Sequence, residues 1–216
     1  MDVKEFIAKR VAKELYDGDV VNLGIGLPTL VTNYTGDKDI CFQSENGMLG
    51  LGPNVSGDDI DRNLTNAGGQ YVSAKDDASY FDSAMSFSII RGGHVDATVL
   101  GALQVDGKGN IANWIIPGKM VPGMGGAMDL IVGAKKVIVA MTHTNKGKAK
   151  ILKECNLPLT ASNQVNLIIT EMAVFEIVDQ KLILKEYNDE YTLDDIKEQT
   201  QAEFIVSDDL KVMEVD

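Results

Sequence analysis

The chain has 216 residues, 44% hydrophobic and 24% charged, and its 20 basic and 32 acidic side chains leave a net charge of −12. This is the composition of a globular protein with a substantial core, and its negative field repels nucleic acid and other polyanions. No apolar run reaches the roughly 18 residues of a membrane span, and the charged start M-D-V-K-E-F-I-A-K-R lacks the pattern of a secretory signal. Cys41 and Cys155 stand too far apart to suggest a disulfide framework or a metal cluster, so no metal is expected and a cytoplasmic setting is.

Val3, Ile7, Val11 and Leu15 fall four apart behind Asp2 and Glu5, which resemble a capping pair, and Gly18 follows as a stop signal. This spacing predicts a helix. D-V-V-N-L then reads as a short buried strand running into G-I-G-L-P-T-L-V, where the glycines make a turn and Pro28 suits the first turn of a second helix. Further apolar runs follow at D-I-C-F-Q, D-A-T-V-L-G-A-L-Q-V, K-K-V-I-V-A-M, N-L-I-I-T-E-M-A-V-F-E-I-V and K-L-I-L-K-E. Runs that are apolar throughout predict strands covered on both faces, and with helices between them they imply a mixed α/β sheet whose last Ile- and Val-rich segments pair antiparallel. From Glu186 to the end there are eleven acidic residues and two lysines, yet T-L-D-D-I-K-E-Q carries cap-like Thr192 and Asp195, and E-F-I-V-S reads as a strand. The acidic end is therefore expected to be folded and solvated. With no repeat, linker or low-complexity tract, residues 1–216 read as a single domain.

Glycine gathers at P-G-K-M-V-P-G-M-G-G-A-M-D, from Pro117 to Asp129. Such a patch lets backbone approach a ligand and aim N–H groups at negative charge, although a loop without a ligand has the same composition. A P-loop is excluded because Met120 stands where the magnesium-binding hydroxyl belongs, and Gly24-Ile25-Gly26 lacks the third glycine of a dinucleotide fingerprint. His94, His143 and Cys41 have no activating neighbour in sequence and read as structural or surface residues. Glu45, in S-E-N-G-M-L-G-L-G-P, follows an apolar run, and strand ends are where open α/β sheets place their sites. By composition alone it remains an ordinary turn residue.

The motifs V-N-L-G-I-G-L-P, Q-S-E-N-G, N-A-G-G, I-R-G-G-H-V-D, L-G-A-L-Q-V-D, N-W-I-I-P-G-K-M, G-M-G-G-A-M-D-L and L-P-L-T, taken together and in this order from Val21 to Thr160, resemble the B (beta) subunit of family I CoA-transferases of the 3-oxoacid type. M-T-H-T-N-K-G is similar to the acetate or butyrate and acetoacetate enzymes more than to the succinyl-CoA ones. The resemblance implies a three-layer, Rossmann-like open sheet of the type shared with sugar-phosphate isomerases. It implies that Glu45 is the nucleophile of a ping-pong exchange through a glutamyl-CoA thioester, in which coenzyme A is a substrate and no cofactor is tightly bound. It further implies Gly126 and Gly125 as backbone donors to an oxyanion, Gly24 and Gly26 as the facing loop, and Asn46, Gly47 and Lys119 as further candidates. A carboxylate is ionised at neutral pH and needs no base, which agrees with the absence of a paired histidine. The partner implied is an A (alpha) subunit in a heterotetramer or higher heteromer. The rivals are the succinyl-CoA:3-oxoacid subtype, a phosphosugar isomerase or ligand-sensing domain of the same fold, and a non-enzymatic regulatory subunit; no glycine loop here is basic enough to favour phosphate.

Overall fold

The Asp2 carboxylate accepts hydrogen bonds from the N–H groups of Lys4 and Glu5, and helix α1 (Val3–Ala12) starts on that cap. Ile7, Ala8 and Val11, with Leu15 just beyond, bury its apolar face completely. Gly18, at φ +85°, turns the chain into β1 (Val20–Leu23). The helix expected at Pro28 is present over Leu27–Tyr34 but is 3₁₀ rather than α. Thr29, Thr32 and Thr35 each send a hydroxyl back to the carbonyl three residues earlier, a spacing that suits three residues per turn.

The computed structural model describes residues 1–118 and 124–215. After the 3₁₀ helix come β2 (Cys41–Ser44), β3 (Met48–Asn54), β4 (Val72–Tyr80), α2 (Ser83–Arg91), β5 (Ala97–Leu100), β6 (Gln104–Asp106) and β7 (Ile111–Ala112). They are followed by α3 (Ala127–Gly133), β8 (Lys136–Ala140), β9 (Thr144–Asn145), β10 (Lys148–Ala149) and β11 (Ile151–Leu152). The chain ends with β12 (Leu167–Ile169), β13 (Ala173–Val178), β14 (Lys181–Tyr187), α4 (Leu193–Gln199) and β15 (Phe204–Val212). The run D-A-T-V-L-G-A-L-Q-V thus divides at Gly101 into β5 and β6, which belong to different sheets.

Ten strands form one mixed sheet in the order β15-β14-β13-β12-β8-β5-β1-β2-β3-β4. Its centre, from β12 to β2, is parallel, while the β2–β3–β4 and β12–β13–β14 flanks are antiparallel. The last Ile- and Val-rich runs pair antiparallel as expected, β12 with β13 and β13 with β14, whereas β15 beyond them lies parallel to β14, because α4 carries the chain back before it pairs. β15 is an edge strand whose Asp208, Asp209 and Lys211 discourage pairing with another sheet. The capping box of Thr192 and Asp195 that starts α4 matches the sequence expectation.

Three layers result. α1 and the 3₁₀ helix cover one face over Val21, Val99, Ile138 and Ile169. On the other face α4 and the small β11-β6-β7 sheet cover Val137, Val139, Ile168 and Phe175, and α2 with α3 cover Val20 through Ile90 and Leu130. β5 is buried at every position, as a parallel strand with both faces covered should be. Among the described residues no helix is long and apolar enough to cross a membrane.

The chain moves outward from β1 in both directions, to β2 on one side and to β5 and then β8 on the other. In open α/β sheets the crevice at the carboxyl ends of strands around such a reversal is the preferred ligand site. Glu45 stands there.

Candidate active site

β2 ends at Ser44, and Glu45, Asn46 and Gly47 turn the chain into β3. The Gly47 N–H donates to the Ser44 carbonyl at 3.0 Å and the Phe81 N–H donates to the Gly47 carbonyl at 3.0 Å, which ties the turn to the entry of α2. Gly47 has no substitute: its φ is +123°, and a Cβ would overlap the Phe81 carbonyl. Asn46 is exposed, and its amide donates to the Thr65 carbonyl at 2.8 Å. The buried Ser44 hydroxyl accepts from the Ala67 N–H at 3.0 Å, so the N-A-G-G loop closes over the same turn. The backbone that carries Glu45 is therefore held from three sides.

Glu45 is half-buried, and its Oε2 accepts from Asn22 Nδ2 at 3.1 Å. Its Cγ lies 3.4 Å from the point a Cβ on Gly126 would occupy, and the Phe87 ring edge is 3.2 Å from that same point. Gly126, immediately before α3, is thus packed against the candidate nucleophile, and any side chain there intrudes on it. α2 and α3 are clamped by the Arg91–Asp129 ion pair at 2.7 Å. Among the described residues no basic side chain forms an ion pair with Glu45, and no group of three or more His, Cys, Asp or Glu side chains is placed to hold a metal ion.

The other predicted glycines lie in the loop after β1 and just before α3. Gly24 donates its N–H to the Val99 carbonyl at 2.8 Å and packs against β5. Gly26 caps the 3₁₀ helix at φ +92°, and Gly125 sits at φ +55°, both with open space where a Cβ would go. Lys119 lies outside the described residues. A cleft on the α1 side of the sheet, lined by Leu23, Ile25, Thr29, Thr32, Phe42, Leu51 and the Asn66–Gly68 loop, also has Gln43, Ser44 and Glu45 in its wall. Asn22 nevertheless holds the Glu45 carboxylate toward α2 and α3, on the opposite face.

The remaining nucleophile candidates behave as their surroundings in sequence suggest. His94 is exposed in the loop after α2. His143 is fully buried three strands away, between the Thr170 and Thr200 hydroxyls at 3.0 and 2.9 Å. Burial, helped by the charge of Lys150, pushes its pKa down to about 4, so it is a neutral packing residue. Burial, with Asp106 and Glu154 nearby, pushes the Cys155 thiol up to about 12, which removes it as a nucleophile. Cys41 is partly buried at the far end of β2.

Sequence reasoning missed the polar side chains beneath Glu45. Asn22 on β1, Gln43 on β2 and Ser86 on α2 are all buried, and they are hydrogen-bonded in a line: Gln43 Nε2 donates to Ser86 Oγ at 2.8 Å and Asn22 Nδ2 donates to Gln43 Oε1 at 2.6 Å. A signal was present, since V-N-L and F-Q-S each set one amide inside an otherwise apolar central strand.

The Coenzyme A transferase family model matches residues 4–199 of this chain. The chain is 57% identical, over 100% of its length and 97% of the relative's, to the beta subunit of the acetate CoA-transferase of Haemophilus influenzae. It is 51% identical, over 94% and 99%, to the B subunit of the succinyl-CoA:3-ketoacid coenzyme A transferase of Helicobacter pylori. Among solved structures, the apoenzyme of an acyl-CoA transferase from Escherichia coli O157:H7 superimposes with a TM-score of 0.77 at 23% identity; the match takes in 99% of this chain and 44% of that longer polypeptide. At that identity the superposition speaks for the fold.

Proposed function

This chain belongs to the coenzyme A transferase family, and we propose that it is the glutamate-bearing B subunit of an enzyme that moves CoA from an acyl-CoA to a short-chain carboxylic acid. The observation that carries this reading is the placement of Glu45: a half-buried carboxylate at the carboxyl end of a central parallel strand, with one oxygen fixed by an amide and its stem against a glycine.

The Glu45 carboxylate attacks the acyl-CoA carbonyl, giving a mixed anhydride and CoA thiolate. The thiolate attacks the glutamyl carbonyl, which releases the first acid and leaves a glutamyl-CoA thioester. The incoming acid opens that thioester to a second anhydride, the thiolate attacks its acyl carbonyl, and the new acyl-CoA departs from a regenerated carboxylate. No net energy input is needed, because one thioester replaces another, and ping-pong kinetics follow. A carboxylate is a weak nucleophile, so the site must strip it of water and stabilise each tetrahedral oxyanion; one backbone donor is typically worth about 2.7–4 kcal/mol. Gly126, with Gly125 beside it, is the proposed donor for the acyl oxyanion, and Gly24 and Gly26 shape the facing loop.

Coenzyme A enters as substrate, and an A subunit of similar size supplies the second wall of the site in a heterotetramer or higher assembly about a two-fold axis. The names of the relatives, which make one a beta and the other a B subunit, support that pairing. Acetate is the first acceptor to test because the acetate enzyme shares the higher identity of these two relatives; butyrate follows, and succinyl-CoA with acetoacetate is the second reading, supported by the Helicobacter pylori relative. The test is to purify the chain with and without its co-expressed A subunit and to measure acetoacetyl-CoA consumption with acetate, butyrate and succinate. Turnover that appears only with the partner and saturates near equal stoichiometry is expected, whereas full turnover by the lone chain would refute the two-subunit reading.

A further inference from the structure

We propose that Asn22 is a catalytic residue that donates to the carbonyl oxygen of Glu45 whenever that carbonyl is attacked, and that Gln43 and Ser86 are positioning residues that aim it. This rests on the reading of Glu45 as the nucleophile.

The hydrogen-bond line has one possible direction. An ionised carboxylate only accepts, so Asn22 must turn its Nδ2 toward Glu45, Gln43 must then turn Oε1 toward Asn22, and Gln43 Nε2 is left to meet Ser86 Oγ. Asn22 Nδ2 has two hydrogens but three acceptors: Gln43 Oε1 at 2.6 Å, Glu45 Oε2 at 3.1 Å and the Gln43 carbonyl at 3.2 Å. The shortest contact takes one hydrogen, and the other is divided between the Gln43 carbonyl and Glu45. A shared donor can shift wholly to Glu45 as negative charge grows there, so its interaction strengthens in the transition state more than in the ground state.

Stability does not account for this arrangement. Asn22 and its register partner Thr98 on β5 are both fully buried, and Asn22 Oδ1 and Thr98 Oγ1 have no hydrogen-bond partner among the described residues. Unmet polar groups of this kind are costly, and an apolar side chain in a central parallel strand avoids the cost. The orphaned oxygen is the consequence of pointing the amide at Glu45.

Asn22 also distinguishes the two oxygens of the nucleophile. Oε2 is held, while Oε1 has no partner among the described residues, so Oε1 makes the bond to the acyl carbon and Oε2 remains as the glutamyl carbonyl oxygen. When the CoA thiolate sulfur adds to Glu45 Cδ, the carbonyl π pair moves onto Oε2 under the Asn22 N–H. The bond from Cδ to Oε1 then breaks, its electron pair leaves on the departing carboxylate, and the carbonyl re-forms as the thioester. No proton moves. Attack by the incoming carboxylate on the thioester loads the same oxygen.

The experiment uses the chain co-purified with its A subunit, with acetoacetyl-CoA and acetate, and reads kcat, KM and the rate of thioester formation in a single turnover. Asn22→Ala is expected to lower kcat and thioester formation by about 10²–10³-fold with KM little changed. Ser86→Ala, which removes one atom at the far end of the line, is expected to lower kcat by about tenfold at unchanged KM, a split that loss of folding would not produce. Should Asn22→Ala fail to assemble, Ser86→Ala decides the matter. Wild-type kcat in the assembled variants overturns the role of Asn22 and leaves Glu45 standing if Glu45→Gln is inactive; transfer by Glu45→Gln overturns the reading beneath it.

Discussion

Replacing Gly126 by alanine puts one methyl group into the contact between α3 and the nucleophile. The backbone accepts it, since φ at Gly126 is −81°. The new Cβ would stand 3.2 Å from the Phe87 ring edge and 3.4 Å from Glu45 Cγ, against an optimal carbon contact of about 3.5–4.0 Å. Relief therefore requires Phe87 and Glu45 to withdraw by a few tenths of an ångström, near the ~0.5 Å tolerance of a working site. Overpacking on this scale costs about 1 kcal/mol of stability, and a displacement of about 1 Å can cost 10²-fold in rate, so Gly126→Ala should lose roughly tenfold in kcat. Gly126→Val, with two more carbons directed at the same atoms, should lose about 10²-fold or more. The assay is steady-state transfer by the two-subunit complex, paired with thermal melting. Gly109→Ala provides the control: Gly109 lies in the β6–β7 turn at φ +85°, with the Val165 carbonyl 3.1 Å from its would-be Cβ, so that variant should melt lower and keep its kcat. A Gly126→Val complex with wild-type kcat and KM would show that this glycine does not bear on the reacting group.

Three further outcomes follow from the structure. Gly47→Ala should prevent the β2–β3 turn from closing against Phe81 and lower the melting temperature by several degrees, equivalent to about 2 kcal/mol or more; unchanged melting would show that the turn can be rebuilt. Arg10 is buried between Glu14 at 2.8 Å and Glu186 at 2.6 Å, with Lys136 on Glu14 at 2.7 Å, so Arg10→Ala strands the Glu186 carboxylate, leaves Glu14 to Lys136, and should cost about 3 kcal/mol in denaturant unfolding. His143 stays neutral in the fold until about pH 4, whereas its ordinary value is 6.5, so the unfolded chain binds the extra proton between those limits. Its contribution is complete above pH 6.5 and falls away by about 3 kcal/mol toward pH 4; His143→Gln should flatten that part of the stability–pH curve, and an unaltered slope would contradict the assignment.

The central strands were legible because burial on both faces demands mostly apolar side chains: β8 and β12 meet that demand almost throughout, and β1, β2, β5 and β13 keep enough apolar residues around Asn22, Gln43, Thr98 and Glu176 to show as short runs. β3 and β4 did not show. β3 carries Gly50, Gly52 and Pro53, its pairing with β4 shifts register twice, and β4 exposes K-D-D at the sheet edge, so neither strand keeps a two-residue alternation. α2 was hidden by its three serines, one of which, Ser86, is buried for hydrogen bonding rather than exposed. α3 is only seven residues long and begins inside the glycine patch, where composition reads as loop. At the site, Glu45 was marked by the S-E-N-G motif, and Gly126 by G-M-G-G-A-M-D. The packing of Gly126 on Phe87 and the line from Ser86 to Asn22 were not legible, because each joins residues from separate elements that only the sheet order and the α2–α3 pairing bring together.

The most direct test is to locate the covalent intermediate. The two-subunit complex is incubated with acetoacetyl-CoA and no acceptor acid, digested under acidic conditions that preserve thioesters, and its peptides are weighed; in parallel, borohydride is added to reduce the thioester and inactivate the enzyme. A CoA adduct is expected on the peptide containing Glu45, absent in Glu45→Gln and discharged when acetate is added. An adduct on any other residue, or sustained transfer by Glu45→Gln without an adduct, would contradict the role of Glu45.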